Sequence, residues 1–137
     1  MNAYVTGLTA RDSSFVTTAN TDQPAVSRVE AYIRAQDFAR PTLVIDTEAV
    51  ARQFAALAQG LGRARIHYAV KANPAPEILR KLHSLGSNFD AASRVELQMC
   101  LDAGAAPEQL SFGNTIKRAS DIAWAHEQGI DLFAVDA

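Results

Sequence analysis

Cysteine, charge of one sign and long apolar runs are all scarce in this sequence, and each scarcity removes a class of protein. A single cysteine, Cys100, excludes an internal disulfide framework. Against 15 acidic residues stand 13 basic ones, scattered to a formal charge of -2, with no basic stripe able to follow a phosphate backbone. Nucleic acid is therefore not an expected partner. No apolar run reaches the roughly 20 residues of a membrane-spanning helix, and no apolar signal core follows Met1, so the cytoplasm is the expected compartment. Neither of the common Gly-rich phosphate loops is present. His67, His83 and His126 lie far apart and form no pair at ligand spacing, which leaves a metal site unsupported. What the sequence does hold is an ordinary globular composition, 48% hydrophobic and 20% charged over 137 residues, enough for one modest core.

Residues Met1 to Gln23 are rich in Thr, Ser, Asn and Ala and show no sustained period, the pattern of a mobile arm. The pattern changes at Pro24. Asp22 can cap, Pro24 suits a first helical turn, and Val26, Val29 and Ile33 form a helical stripe that runs to about Gln36. Arg40-Pro41 ends it, and Thr42 to Asp46 is a compact β-branched run of strand type. Asp46 or Thr47 caps the next helix, whose apolar positions Val50, Phe54, Leu57 and Leu61 predict an end near Gly60 or Gly62.

One supersecondary unit then repeats. Strands are expected over Ile66–Val70, Asn88–Ala91, Leu110–Gly113 and Leu132–Val135. Helices are expected from about Ala75, with Ile78, Leu79, Leu82 and Leu85 on one side, over Arg94–Ala103, and over about Ala119–Gln128. Gly86, Gly104 and Gly129 are the stops. Strands alternating with helices of about ten residues mark βαβ units and a parallel sheet. The repeat length is that of a (β/α)8 barrel, which needs about 250 residues to close. The expectation is thus an α/β fold: a mobile arm over 1–23, a short helix, and the amino-terminal half of a TIM-type barrel within 24–137. A last strand left as a bare parallel edge would be unusual, so the chain reads as the first part of something longer.

The stretch from His67 to Pro74 carries the chemistry. Alternation along a strand would put His67, Ala69 and Lys71 on one face, with Lys71 at the carboxyl end where α/β active sites collect. Ala69 offers only a methyl group beside it. A lysine amine at such a mouth can condense with an aldehyde, provided that it is neutral, and partial burial against Ala69 would favour the neutral form. The alternative is a lysine that merely reaches from a strand end into water. Asp90 ends the second strand and is a candidate to orient the amine; bonding to loop amides is the equal alternative. Ser93 and Glu96 have the spacing of a capping box. Asn114 and Lys117 follow the third strand, with solvent the expected place for Lys117. Cys100 sits in an apolar stretch as a small core residue.

Three segments, Tyr68-Ala-Val-Lys71-Ala-Asn73-Pro74, Gly86-Ser-Asn-Phe89-Asp90-Ala-Ala-Ser93 and Ser111-Phe-Gly113-Asn114-Thr-Ile-Lys117, resemble in order and spacing the fold-type III pyridoxal phosphate enzymes. Among these they are most similar to the bacterial ornithine/lysine decarboxylases, over about Arg40 to Ala137. The resemblance implies that Lys71 holds pyridoxal 5'-phosphate as a Schiff base, with Ala69 at the cofactor, and that Asp90 and Glu96 support the lysine side of the site. It implies decarboxylation of a basic amino acid, ornithine to putrescine ahead of lysine or diaminopimelate, in a homodimer with shared active sites. A non-catalytic paralogue with a binding or regulatory role and an amino-acid racemase are the other readings. The family's ring-stacking histidine, phosphate loop and partner-donated residues have no counterpart in these residues, so the isolated chain is expected to be inactive.

Overall fold

The computed structural model describes residues 2–7, 13–17 and 25–136, with side chains from Arg28 onward. They divide into two compact units, 1–53 and 54–137. The first unit holds β1 (Asn2–Gly7), β2 (Ser13–Thr17), α1 (Ala25–Arg34) and β3 (Thr42–Asp46). The strands form an antiparallel sheet in the order β2-β1-β3, with Tyr4 opposite Phe15 on one side and opposite Ile45 on the other. This differs from the expectation of an arm without regular structure over 1–23. The runs Tyr4-Val5-Thr6 and Phe15-Val16-Thr17 are short, but their aromatic and β-branched residues suit a pleated strand. The remainder of 1–23, including the expected cap Asp22, lies outside the described residues, as does Pro24.

A buried ion pair joins α1 to β3 in this first unit. The Arg28 guanidinium on α1 donates to Asp46 Oδ2 at the end of β3, with both side chains only 6% exposed. Asp46 Oδ1 accepts from the backbone N–H of Glu48 at 2.9 Å and of Ala49 at 3.3 Å. Asp46 therefore caps α2 (Thr47–Leu61), one of the two caps foreseen.

The second unit is a repeat of strand and helix: β4 (His67–Ala69), α3 (Pro76–Ser84), β5 (Asn88–Ala91), α4 (Arg94–Asp102), β6 (Leu110–Phe112), α5 (Ala119–Glu127) and β7 (Leu132–Phe133). All neighbouring strands are parallel, in the order β4-β5-β6-β7, so each helix supplies a crossover. The sheet is open, as expected of part of a barrel. β4, β6 and β7 are each shorter than their sequence suggested. Left-handed Gly86 (φ +84) and Gly129 (φ +86) end α3 and α5, and the next residue's N–H closes back onto the last turn, Ser87 to Leu82 and Ile130 to Ala125. The closing residues Ser87 and Ile130 are fully buried.

Register decides which side of this sheet is apolar. Tyr68, Phe89 and Leu110 lie side by side across it, as do Ala91, Phe112 and Phe133. Phe89, Leu110 and Phe112 are at most 2% exposed. α4 packs on β5 and β6 through Leu97 and Cys100, and against α5, where Arg94 stacks over the Trp124 ring at 4.6 Å. Ile78, Leu79 and Leu82 of α3 are buried as well. The opposite face consists, by alternation, of His67, Ala69, Asn88, Asp90 and Ser111. No helix among the described residues is long and apolar enough to cross a membrane.

Cys100 is fully buried in this core, and burial, helped by the Glu96 carboxylate, pushes its thiol up to about 12 from 9.0. It is thus a packing residue, as its sequence setting suggested. Because the native state holds the neutral thiol, its contribution to stability is complete below about pH 9 and is lost as pH rises towards 12. A thiol reagent at pH 8 should label the folded protein slowly and the urea-unfolded protein quickly; equal rates would place the thiol at the surface.

Candidate active site

Lys71 is not the last residue of a strand. β4 stops at Ala69, and Val70–Ala72 is a single 3-10 turn with Lys71 at its centre. The turn is anchored at both ends. Val70 is fully buried, and the Tyr68 hydroxyl on β4 reaches forward to donate to the Asn73 carbonyl at 3.2 Å. Asn73 is extended (φ -162, ψ 106), as a residue before proline must be, and its Oδ1 accepts from Ala75 N at 3.0 Å. That Asx turn leads into α3 with Pro76 in its first turn. Burial raises the Tyr68 hydroxyl above its ordinary pKa, against the smaller lowering by its Asn73 bond, so the group stays a proton donor. The Tyr68 ring also meets Phe89 edge to face, centroids 6.5 Å apart. Tyr68, Val70 and Asn73 thus hold the turn in place, and Lys71 itself is exposed. The partial burial against Ala69 expected of it is not found among the described residues.

Asp90 is half-buried at the carboxyl end of β5, in register with Ala69 on one side and Ser111 on the other. Its Oδ1 accepts a 2.6 Å hydrogen bond from the Ser111 hydroxyl. No hydrogen bond or ion pair joins Asp90 to Lys71 among the described residues, nor does Asp90 bond to loop amides. The neighbouring strand supplied its partner instead. Gly113 lies against the same carboxylate, and a Cβ there would sit 2.0 Å from Oδ1.

The remaining candidates sort cleanly. Ser93 Oγ accepts from Glu96 N at 3.2 Å, and Glu96 Oε2 accepts from Ala92 N at 2.6 Å. The expected cap is present, but the glutamate reaches one residue further back and ties down the loop after Asp90. Asn114 is exposed and turns on itself, its Oδ1 3.4 Å from Ile116 N. Lys117 departs from its expected solvation: its Nζ donates to the Ala134 carbonyl beyond β7 and lies 5.2 Å from the Phe112 ring centroid. No group of three potential metal ligands occurs among the described residues.

Comparison with known proteins places the chain in a family. A family model described as "Pyridoxal-dependent decarboxylase, pyridoxal binding domain" matches residues 47–137. A chloroplastic ornithine decarboxylase of Nicotiana glutinosa is 38% identical over 104 residues, 76% of this chain and 24% of that protein. Antizyme inhibitor 2 of Xenopus laevis is 33% identical over 93 residues, covering 68% of this chain and 20% of that protein. Among solved structures, lysine/ornithine decarboxylase of Vibrio vulnificus complexed with cadaverine superposes with a TM-score of 0.71 at 30% identity, over 82% of this chain and 30% of its own. The chain spans about a quarter of the length of the curated relatives it matches.

Replacement of Tyr68 by Phe keeps the ring and removes only the bond to Asn73, a loss of about 0.5–1.5 kcal/mol. Amide exchange over 70–75 should then quicken while Phe89 and Ala91 stay protected. Unchanged exchange across the turn would remove the clamp from the explanation of Lys71.

Proposed function

Because this chain belongs to the pyridoxal-dependent decarboxylase family, in its pyridoxal-binding domain, we propose that the whole protein decarboxylates a basic amino acid. Ornithine, giving putrescine, is the leading substrate over lysine and diaminopimelate. The observation that carries the proposal is the presentation of Lys71: an exposed amine on a turn pinned at both ends, following directly on Ala69, whose sheet row continues into Asp90. Support for the substrate class comes from relatives named as ornithine and lysine/ornithine decarboxylases.

The residues present fit pyridoxal phosphate at its covalent end. A primary amine is what an aldehyde needs, Ala69 contributes no bulk beyond a methyl group, and Asp90 Oδ2 takes no hydrogen bond from the described residues. Lys71 would hold the cofactor through its amine, with Ala69 beside it. When bound, the cofactor supplies an electron-accepting ring for the electron pair left behind by carbon dioxide. Asp90, its other oxygen occupied by Ser111, is placed to orient an amine or to hold a proton at Oδ2. Tyr68 and Asn73 keep the turn from drifting, which matters because misplacement of a reacting group by about 1 Å can cost a hundredfold in rate. The family resemblance extends the proposal to a homodimer with shared sites.

A second reading has one observation in its favour. One relative is named antizyme inhibitor 2 rather than as a decarboxylase, so a non-catalytic role on the same barrel is the competing assignment. Release of carbon dioxide separates the two. The whole protein, loaded with pyridoxal phosphate, should show a visible absorption band and release carbon dioxide from ornithine or lysine, and Lys71→Ala should abolish both. A band that survives the substitution sinks the role of Lys71; a band without carbon dioxide from any basic amino acid favours the non-catalytic reading.

A further inference from the structure

Asp90 is held by two residues of the strand beside it, one through what it adds and one through what it omits. Ser111 lies in register with Asp90, and its hydroxyl is 2.6 Å from Asp90 Oδ1 and 3.4 Å from the Phe89 carbonyl. A hydroxyl has a single proton to give, and the shorter contact to a carboxylate takes it. Two residues on, Gly113 occupies the space against the same group. A Cβ at Gly113 would lie 2.0 Å from Asp90 Oδ1, 2.5 Å from Cγ and 2.5 Å from Oδ2, well inside van der Waals contact. Gly113 N donates to the Ala91 carbonyl at 2.8 Å, which continues the sheet pairing and keeps this backbone close to β5. On the other flank the register partner is Ala69, which has no polar atom in its side chain.

We infer that Ser111 and Gly113 are positioning residues: the hydroxyl fixes Oδ1, the missing side chain keeps the carboxylate's seat open, and Oδ2 is left for a cationic or proton-bearing group of bound cofactor or substrate. The inference rests on the decarboxylase reading and deepens it. No hydrogen bond or ion pair joins either residue to Lys71 among the described residues, and both act through Asp90. Ser111 is 8% exposed, so its hydroxyl is withdrawn from solvent and held at the carboxylate.

A double-mutant cycle in the whole, cofactor-loaded protein tests this. The readouts are kcat and the visible circular dichroism of the bound cofactor, which reports its orientation even where turnover is lost. Loss of one hydrogen bond to a charged group predicts that S111A lowers kcat about ten- to a hundredfold. G113A, which forces the carboxylate aside, should do the same, and both should alter the dichroic band as D90N does. In a D90A background, which removes both the acceptor of the Ser111 hydroxyl and the bulk that a Cβ at position 113 would meet, neither should change the band further. An S111A band shift of equal size with and without Asp90 overturns the inference, as does an S111A protein with unchanged band and kcat. Absence of any visible band in the unsubstituted protein is a separate failure, one of the cofactor assignment itself.

Discussion

Burial of Phe89, Leu110 and Phe112 on one side of the parallel sheet is the constraint from which the rest of the site follows. A strand slipped by one residue exchanges its faces, so such a slip would put Asp90 and Ser111 in the core and the phenyl rings in water. Burying each of these large side chains is worth about 1.5–3 kcal/mol, against about 1 kcal/mol for a typical hydrogen bond. The apolar face therefore sets the register, and the polar face inherits it. That inheritance is why Ala69, Asp90 and Ser111 stand in one row at the mouth of the sheet.

A second division of labour operates along the chain. The turn bearing Lys71 is fastened by neighbours that do no chemistry: Val70 in the core, Tyr68 bonded to the Asn73 carbonyl, and Asn73 turned onto Ala75. Lys71 itself remains exposed. Rigidity is thus placed in the frame and access in the reactive group, which suits an amine that must meet a ligand from solution. The loop after Asp90 is treated alike, with Ser93 and Glu96 fixing its backbone.

Most of the second unit was legible in the sequence because its signals are local. Apolar positions at helical spacing, glycine stops and β-branched runs fall within ten residues of one another and need no knowledge of distant partners. The parts that were not legible depend on distant or two-sided contacts. β1 finds its partner β3 some forty positions later, beyond the reach of a periodicity argument about 1–23. Lys117 looked solvated because the Ala134 carbonyl that takes it comes seventeen residues on, past another helix. Ser111 was visible only as the first residue of a motif, with no role of its own, although counting along two strands in parallel register would have set it beside Asp90. Gly113 was visible as a motif letter, but its reason lies in the carboxylate of another strand. Lys71 was placed at the right end of the right strand and given the wrong local conformation, since simple alternation does not foresee a turn that starts two residues earlier.

Of the lysines in this chain, Lys71 is the one proposed to hold the cofactor. Borohydride reduction of the whole protein after loading with pyridoxal phosphate, followed by peptide mass spectrometry, measures this directly, because reduction makes the bond to the lysine permanent. The pyridoxyl group should be found on Lys71 and absent from Lys81 and Lys117. A group on either of those lysines, or an unmodified Lys71, would contradict the account.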